Sequence, residues 1–340
     1  MTTAASNLLR LLAPVALLLA PLAGVVAQSS GFTASAEGWI GVTLPFPAPG
    51  APPVELGTPI QAPWFASGGN PGGCLRMVDP DGSQPVGHVQ YWKAPAGQLG
   101  DRSACLGGTL RYDVRLQTAL PNFAQEDVLL TGNGLTLAWF ANVTPTPHVW
   151  TTFSVPLQAG PWRVGTRTGP VASAAQVATV LSSLSSMYLR GEFQNGVDTM
   201  LLDNVALAPA ASVLSFGSAC QGTAPQLQLT ATSLPVLGAS YDLLATPPAT
   251  ATLGLFVHAT TPIPGGVDLT FLGMNGCSLY VDLEVMNTVA IVAGTFTQSV
   301  PVPNDLGLIG VHIYSQAAAL APLNAFGLVT SAALDATLAP

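Results

Sequence analysis

The sequence predicts an all-β protein made of two β-sandwich domains in series. Its 35 glycines and 30 prolines are about a fifth of the 340 residues, a content typical of many turns between short strands. Apolar residues alternate with arginines and an aspartate from Leu110 to Leu116, as a strand with one wet face requires. A similar alternation runs from Cys277 to Val285. Hydrophobic residues make up 49% of the chain, enough to fill two cores.

Residues 1–27 have the pattern of a secretory signal peptide. A polar opening with Arg10 precedes an apolar run, and Val25 and Ala27 place small residues at the −3 and −1 positions of a cleavage site. The alternative is an uncleaved anchor, but two prolines interrupt a run that is short for a spanning helix. We therefore expect a secreted or cell-surface protein with no membrane span after cleavage.

Charge divides the mature chain into two parts. Only 8% of residues are charged, and the formal net charge of −8 makes nucleic acid an unexpected partner. Apart from Arg10, every Lys and Arg lies between Arg76 and Arg190. The sequence therefore predicts a first domain over residues 28–212 and an acidic C-terminal β-sandwich over residues 213–340.

Two local patterns stand out in the first domain. Gly132-Asn133-Gly134 lies between two apolar runs and predicts a hairpin, because Gly and Asn accept the positive φ of tight turns. From Ser173 to Ser185, apolar residues recur at helical spacing, and Ser173 is a suitable N-cap. We expect one short helix across the end of the sandwich.

The four cysteines of an exported protein can pair in three ways. Spacing favours Cys74 with Cys105 and Cys220 with Cys277, because each bridge then stays within one domain. Loops of this size would contribute roughly 3 to 4 kcal/mol each in the chain-entropy model. No C-x-x-C motif occurs, so a zinc knuckle or a redox pair is not expected.

The sequence lacks the usual signatures of catalysis. It has no G-x-S-x-G elbow and no H-E-x-x-H motif, and its four histidines are isolated. Asp282 and Glu284 share one face of the second alternating strand and could act as a glycosidase pair, but solvated charge is the simpler reading. We expect no enzymatic activity.

Several aromatic and glycine-rich motifs follow one another in the first domain. They are Glu37-Gly38-Trp39, Gly68-Gly69-Asn70-Pro71-Gly72-Gly73, Tyr91-Trp92-Lys93-Ala94-Pro95, Leu99-Gly100-Asp101, Gly107-Gly108-Thr109-Leu110-Arg111-Tyr112, Trp162, Arg190-Gly191-Glu192-Phe193 and Leu202-Asp203-Asn204-Val205. In this order they resemble the laminin IV type A domain, also called the laminin B domain, over residues 31–208. The resemblance implies a jelly roll akin to carbohydrate-binding modules, found in extracellular matrix proteins and exported bacterial proteins, with no chemistry of its own.

The sequence departs from the animal members of that family. No cysteine-rich epidermal-growth-factor-like repeats flank the domain, and Cys105 stands where the family usually has an aromatic residue. Residues 213–340 loosely resemble the all-β C-terminal modules of exported bacterial proteins, opening with Phe216-Gly217-Ser218-Ala219-Cys220. A role in basement membranes is therefore not implied.

Asp203 is the most informative acidic residue. Alternation along Leu201, Asp203, Val205 and Leu207 places its carboxylate on the same face as three aliphatic side chains. A carboxylate that points inward needs a partner, because burying an unpaired charge is costly. The sequence therefore predicts either a bound cation or several hydrogen bonds at Asp203.

The resemblance implies what that cation would be. Jelly rolls related to carbohydrate-binding domains often hold one structural Ca²⁺ through an acid of the last strand and one of the first, here Asp203 and Glu37, with carbonyls and water completing the shell. The alternatives are that Asp203 accepts loop N–H bonds or pairs with Arg190. The acid that usually follows the first-strand aromatic is replaced by Thr33.

The leading hypothesis is a non-catalytic exported binding or adhesion protein whose first domain presents a ligand surface and whose second acts as partner or spacer. An extracellular glycan or a surface protein is the expected partner. The first alternative is a lectin-like module that stacks sugars on aromatic side chains, although core packing would explain the same residues. A hydrolase with an unrecognised site is a more distant alternative. The aromatic residues concerned are Tyr91, Trp92, Trp139, Trp150 and Trp162.

Overall fold

The computed structural model describes residues 28–47, 52–79, 87–119, 122–220 and 225–340. The predicted signal peptide lies outside these residues. Within them the all-β prediction is confirmed, since antiparallel strands dominate and α1 (Ala174–Leu181) is the one α-helix. That helix is eight residues long, so no helix of the described part has the length to cross a membrane.

Thirteen strands form the part of the described chain up to residue 208. They are β1 (Gln28–Ser30), β2 (Ile40–Pro45), β3 (Leu56–Gln61), β4 (Trp64–Gly69), β5 (Gly72–Asp79), β6 (His88–Lys93), β7 (Thr109–Leu116), β8 (Val128–Gly132), β9 (Leu135–Trp139), β10 (Thr151–Pro156), β11 (Arg163–Val164), β12 (Leu184–Arg190) and β13 (Asp198–Ala208). Ten more follow in the described residues: β14 (Ser212–Phe216), β15 (Gln228–Ala231), β16 (Ser240–Thr246), β17 (Leu253–Ala259), β18 (Pro262–Asp268), β19 (Ser278–Val281), β20 (Val285–Val289), β21 (Phe296–Pro301), β22 (His312–Leu320) and β23 (Leu328–Thr337).

The first sandwich (residues 28–208) consists of two sheets. Sheet 1 has the order β10, β7, β13, β5, β4, with β1 beside the end of β13, and sheet 2 has the order β11, β9, β8, β12, β6, β2, β3. Their facing sides enclose one apolar core, in which the largest side chains are almost fully buried. These are Trp39, Trp92, Trp162 and Tyr112. All four come from motifs that suggested the family resemblance.

The second sandwich (residues 212–339) packs sheet 3, in the order β14, β23, β22, β17, β20, against sheet 4, in the order β15, β16, β21. Its core surrounds Phe256 and Phe296, whose ring centroids are 5.0 Å apart. Ala206 and Ala208 of β13 belong to the same packed cluster. The division at residue 212 stays a prediction, because β13 contributes side chains to both cores.

Local predictions for the first sandwich agree with the structure at three places. The apolar residues of β7 are fully buried, and β8 and β9 form the hairpin with Asn133 and Gly134 at positive φ. Ser173 caps α1 and forms a capping box with Gln176. The helix ends at Leu181 rather than continuing to Ser185, because the chain turns there and β12 begins at residue 184.

The long second-domain strand predicted from Cys277 to Val285 is wrong. Two strands, β19 and β20, replace it, and the chain turns away between them at residues 282–284. Asp282 accepts the N–H of Leu283, and Thr260 donates to Glu284. These side-chain bonds compete with strand pairing and leave Leu283 53% exposed.

The predicted face of Asp203 also needs correction. The pairing of β13 with β7 shifts register between Asp203 and Ala206, and Asn204 has a φ of 51°. Such a bulge inserts one residue and reverses the alternation beyond it. Val205 therefore points into the core of the first sandwich, whereas Asp203 is buried on the outer face of sheet 1.

Of the two predicted disulfides, the structure forms the Cys220–Cys277 bond. The Cys74–Cys105 pairing is corrected, because both thiols are free and buried. Cys74 lines a cavity on the outer face of sheet 1, whereas Cys105 ends a 3-10 turn and packs into the core. Thiols on opposite sides of a sheet point away from each other and cannot be bridged without moving the backbone.

Candidate functional site

The outer face of sheet 1 carries a buried carboxylate at the bulge of β13. Asp203 has no exposed surface, and its two oxygens accept backbone N–H groups of Asn70 and Asn204. Asn70 lies in the turn between β4 and β5, and Asn204 is the bulge residue itself. The turn and the bulge therefore meet at one side chain.

A second buried carboxylate, Asp113 of β7, lies beside the first. Its Oδ1 accepts the hydroxyl of Thr152 at 2.6 Å, and its Oδ2 accepts the side-chain amides of Asn70 at 3.0 Å and Asn204 at 2.8 Å. Each asparagine thus contacts both carboxylates. The sequence analysis missed Asp113, because its place in the alternation of β7 indicated a solvated side chain.

The glycines around Asn70 allow the backbone to approach this site. A Cβ atom on Gly69 would lie 2.0 Å from the carbonyl oxygen of Gly73 and 2.6 Å from Oδ2 of Asp203. A Cβ atom on Gly73 would lie 2.1 Å from the carbonyl oxygen of Phe32. Close packing at the site therefore requires Gly69 and Gly73 of the Gly-Gly-Asn-Pro-Gly-Gly motif, whereas Gly68 and Gly72 have positive φ.

Glu37 lies at the edge of the same site, on the loop between β1 and β2. It is exposed, and its Oε1 accepts the backbone N–H of Phe32 at 2.8 Å. Burial, followed by the neighbouring charges of Asp113 and Glu37, raises the pKa of Asp203 to about 6, although hydrogen bonds from Asn70 and Asn204 oppose this. The structure thus brings Glu37 and Asp203 into one neighbourhood.

Arg190 is not the partner of Asp203. Its guanidinium lies 3.3 Å from Asp127 and also donates to the carbonyl oxygens of Phe123, Gln125 and Glu192. Of the alternatives weighed from the sequence, the structure contains the loop N–H bonds to Asp203.

The Asp203 and Asp113 carboxylates are ligands of the kind that calcium prefers, and within the described residues no ion pair involves Asp203. Both of its oxygens already accept hydrogen bonds, however, and the described residues contain no group of three acidic, histidine or cysteine side chains placed to hold a metal. The calcium site at Asp203 and Glu37 therefore stays a prediction.

A cavity of about 400 Å³ adjoins the carboxylates on the same outer face. Its walls combine one aromatic ring, one guanidinium, hydroxyls, an amide and a thiol. The lining residues are Phe65, Ser67, Cys74, Arg76, Gln117, Thr118, Thr199 and Leu201. Burial raises the pKa of the Cys74 thiol. The sequence pattern did not indicate this cavity, although Arg111 and Arg115 occupy polar positions of β7 and Gln117 directly follows that strand.

The aromatic residues considered for sugar stacking are mostly core residues. Tyr91, Trp92 and Trp162 have no exposed surface, and Trp139 is nearly buried. Phe65, which the sequence analysis did not select, is 40% exposed at the mouth of the cavity. Trp150, just before β10, is half-buried, so Phe65 and Trp150 are the rings that sheet 1 offers for stacking.

Two solved structures with some likeness to this chain were compared with it. The L4b domain of human laminin alpha-2 is 13% identical, covers 36% of this chain and 70% of its own, and has a TM-score of 0.31. A β-1,2-glucanase from Parabacteroides distasonis is 16% identical, with a TM-score of 0.28, and the match covers 82% of this chain and 34% of the enzyme. At TM-scores below 0.5 neither likeness bears on function.

A family model gives a more specific result. It matches a segment that contains Asp113, Asp203 and Asn204 but neither Glu37 nor Gly69. The match indicates an extracellular adhesion or structural module. Residues 91–219 of this chain match the family laminin B (domain IV), which confirms the resemblance predicted from the motifs.

Proposed function

We propose that this chain is an exported, non-catalytic binding or adhesion protein whose ligand surface is the outer face of sheet 1. The observation that carries the proposal is the laminin B match over residues 91–219, which supplies three strands of that face. The Cys220–Cys277 disulfide supports an extracellular location, because such bonds persist in oxidising compartments.

The arrangement of Asp113 and Asp203 supports a structural role for both. Their oxygens accept hydrogen bonds from Asn70, Asn204 and Thr152. A general base must keep an oxygen available to a substrate proton. These carboxylates instead fix the turn and the bulge that shape the outer face.

The second candidate is a lectin-like module, and a specific observation favours it. Phe65 lies at a cavity lined by hydroxyl and amide groups. Sugars present hydroxyls at their edges and C–H groups on their faces, so this combination suits them. In either case the second sandwich acts as a partner or spacer.

Retention on intact producing cells would test the proposal. Fluorescently labelled residues 28–340 should bind in a saturable way and be displaced by unlabelled protein. A glycan array separates the lectin reading from recognition of a protein. Turnover of any ester, glycoside or peptide in a substrate panel would contradict both readings, and so would the absence of saturable retention.

A further inference from the structure

Two arginines lie on either side of Leu201 on the outer face of sheet 1. Leu201 pairs with Arg76 of β5 on one side and with Arg115 of β7 on the other. Residues in register across adjacent strands point to the same face, and two strand spacings separate the Cα atoms by roughly 10 Å. The two arginine side chains therefore lie on the same face of the sheet, on either side of Leu201.

Neither arginine has a carboxylate partner within the described residues. The ion pairs there involve Lys93, Arg190 and His312, and the Nε atoms of Arg76 and Arg115 are buried without a hydrogen-bond acceptor. By contrast, Arg190 donates four hydrogen bonds. Arg76 lines the cavity and Arg115 lies beside it, and their buried Nε–H groups, in a protein with net charge −8, indicate an anionic ligand.

The nearest acids restrict where such a ligand can lie. Asp113 and Asp203 are two residues further along β7 and β13 from Arg115 and Leu201, and asparagines and Thr152 occupy their oxygens. Their charge repels an anion from the bulge end of the face. A ligand carboxylate is therefore directed to the two arginines, next to the cavity.

The cavity walls indicate that the anion belongs to a sugar. The Phe65 ring lies 5.5 Å from the guanidinium of Arg76 and remains 40% exposed, so it can also cover the C–H face of a pyranose. Ser67, Gln117 and Thr199 offer uncharged hydrogen-bonding groups on the same cavity. An aromatic face, neutral polar groups and two arginines together match a sugar ring that carries a charge.

We infer that this cavity binds a uronic-acid unit of an acidic glycan, with Arg76 and Arg115 on the carboxylate and Phe65 on the ring. The planar guanidinium matches a carboxylate through two parallel hydrogen bonds. This inference rests on the proposed function, because it names the ligand class of the same face.

Calorimetric titration with tetragalacturonate, its methyl ester and a keratan sulfate tetrasaccharide, which carries sulfate but no uronic acid, tests the inference. The acid should bind at least ten times more tightly than the uncharged ester, and more weakly as salt rises. Arg76→Gln and Arg115→Gln should each weaken binding roughly tenfold. Arg163→Gln on β11 of sheet 2 removes the same charge away from the cavity and should change nothing.

Two further variants keep the test decisive if an arginine variant unfolds. Arg76→Lys keeps the charge but loses the paired hydrogen bonds, and Phe65→Ala removes the ring, so both should weaken binding. Equal affinity for acid and ester, preference for the sulfated tetrasaccharide that lacks uronic acid, or indifference to these substitutions would overturn the inference. If no glycan binds while cells still retain the protein, only the ligand class is wrong. If retention is also lost, the proposed function falls with it.

Discussion

Asn70 and Asn204 are the residues that join the turn, the bulge and the two buried carboxylates. Asn204 adopts a left-handed conformation with φ 51°, which asparagine tolerates better than most residues. Its side-chain amide contacts Asp113 while its backbone N–H contacts Asp203. Replacing its side chain would remove this conformational preference together with the Nδ2 hydrogen bonds to Asp113 and to the carbonyl oxygen of Asn70, so the effect should exceed that of either contact alone.

Asp203 is also the residue through which we predict that the chain binds calcium. If the folded chain alone binds the ion, wild-type protein should melt at a lower temperature in EDTA than in calcium. The linkage free energy is about 2.7 kcal/mol at a hundredfold excess over Kd. Asp203→Ala should melt at one temperature in both conditions. Melting curves of both proteins decide this, and an equal wild-type midpoint with calcium and EDTA would defeat the metal prediction.

The cysteines make a separate prediction about redox state. Under non-reducing denaturing conditions, thiol labelling should modify Cys74 and Cys105, and peptide mapping should find Cys220 and Cys277 still joined. In the folded protein Cys105 should react slowly, because burial raises its pKa to about 11. Replacing Cys220 and Cys277 together by Ser should cost about 4 kcal/mol. A Cys74–Cys105 bridge in the peptide map would contradict the structure.

Elements with a clear periodic pattern were predictable from the sequence, and those that break the pattern were not. The burial of the β7 core face, the β8–β9 hairpin and the N-cap of α1 follow from spacing and turn chemistry. At the bulge at Asn204 and at the turn of residues 282–284, an aspartate carboxylate accepts the backbone N–H of the next residue, and spacing alone does not reveal such a bond. A one-residue shift reverses the face of every residue beyond it, so the bulge at Asn204 separates Asp203 from the face of Val205 and Leu207.

A second acidic cluster lies at the C-terminal ends of β5 and β12 and the N-terminal end of β13. Glu192 accepts the N–H of Gln90 at 2.9 Å, and Asp198 accepts the N–H groups of Phe193 and Gln194. Burial raises the pKa of Glu192 to about 7 and that of Asp198 to about 6, and Asp79 adds to both shifts. These folded-state values lie above those of unfolded chains, near 4.

The folded protein therefore holds more protons than the unfolded chain between about pH 4 and pH 7. The free energy of unfolding should fall as pH rises through that window. In Glu192→Gln the fall should be smaller by on the order of 3 kcal/mol, since one unit of pKa shift corresponds to about 1.4 kcal/mol. Urea titrations from pH 4.5 to 7.5 measure this. Glu284→Gln, at an exposed position, should keep the wild-type slope, and an unchanged slope in Glu192→Gln would refute the assignment.

At the scale of the whole molecule, β13 links the two sandwiches. Leu202, Val205 and Leu207 belong to the first core, whereas Ala206 and Ala208 are fully buried in the second. The bulge makes this possible, because it changes which face each residue occupies. The small alanine side chains let the second sandwich approach the outer face of sheet 1 closely, at the end away from the arginine cavity.

This shared strand predicts that the two sandwiches unfold together. All six tryptophans lie between residues 39 and 162, so their fluorescence reports the first sandwich alone, while hydrogen exchange in β17 and β22 reports the second. In the wild type the two urea transitions should coincide.

Ala206→Glu places a charge without a partner between the two sandwiches, and the charge regains water only if the sandwiches separate. Its transitions should therefore split, with β17 and β22 exchanging at lower urea than the fluorescence change. Ala175→Glu, on the exposed side of α1, adds the same side chain without entering either core and should leave one transition. Coincident transitions in Ala206→Glu would mean that β13 does not couple the sandwiches.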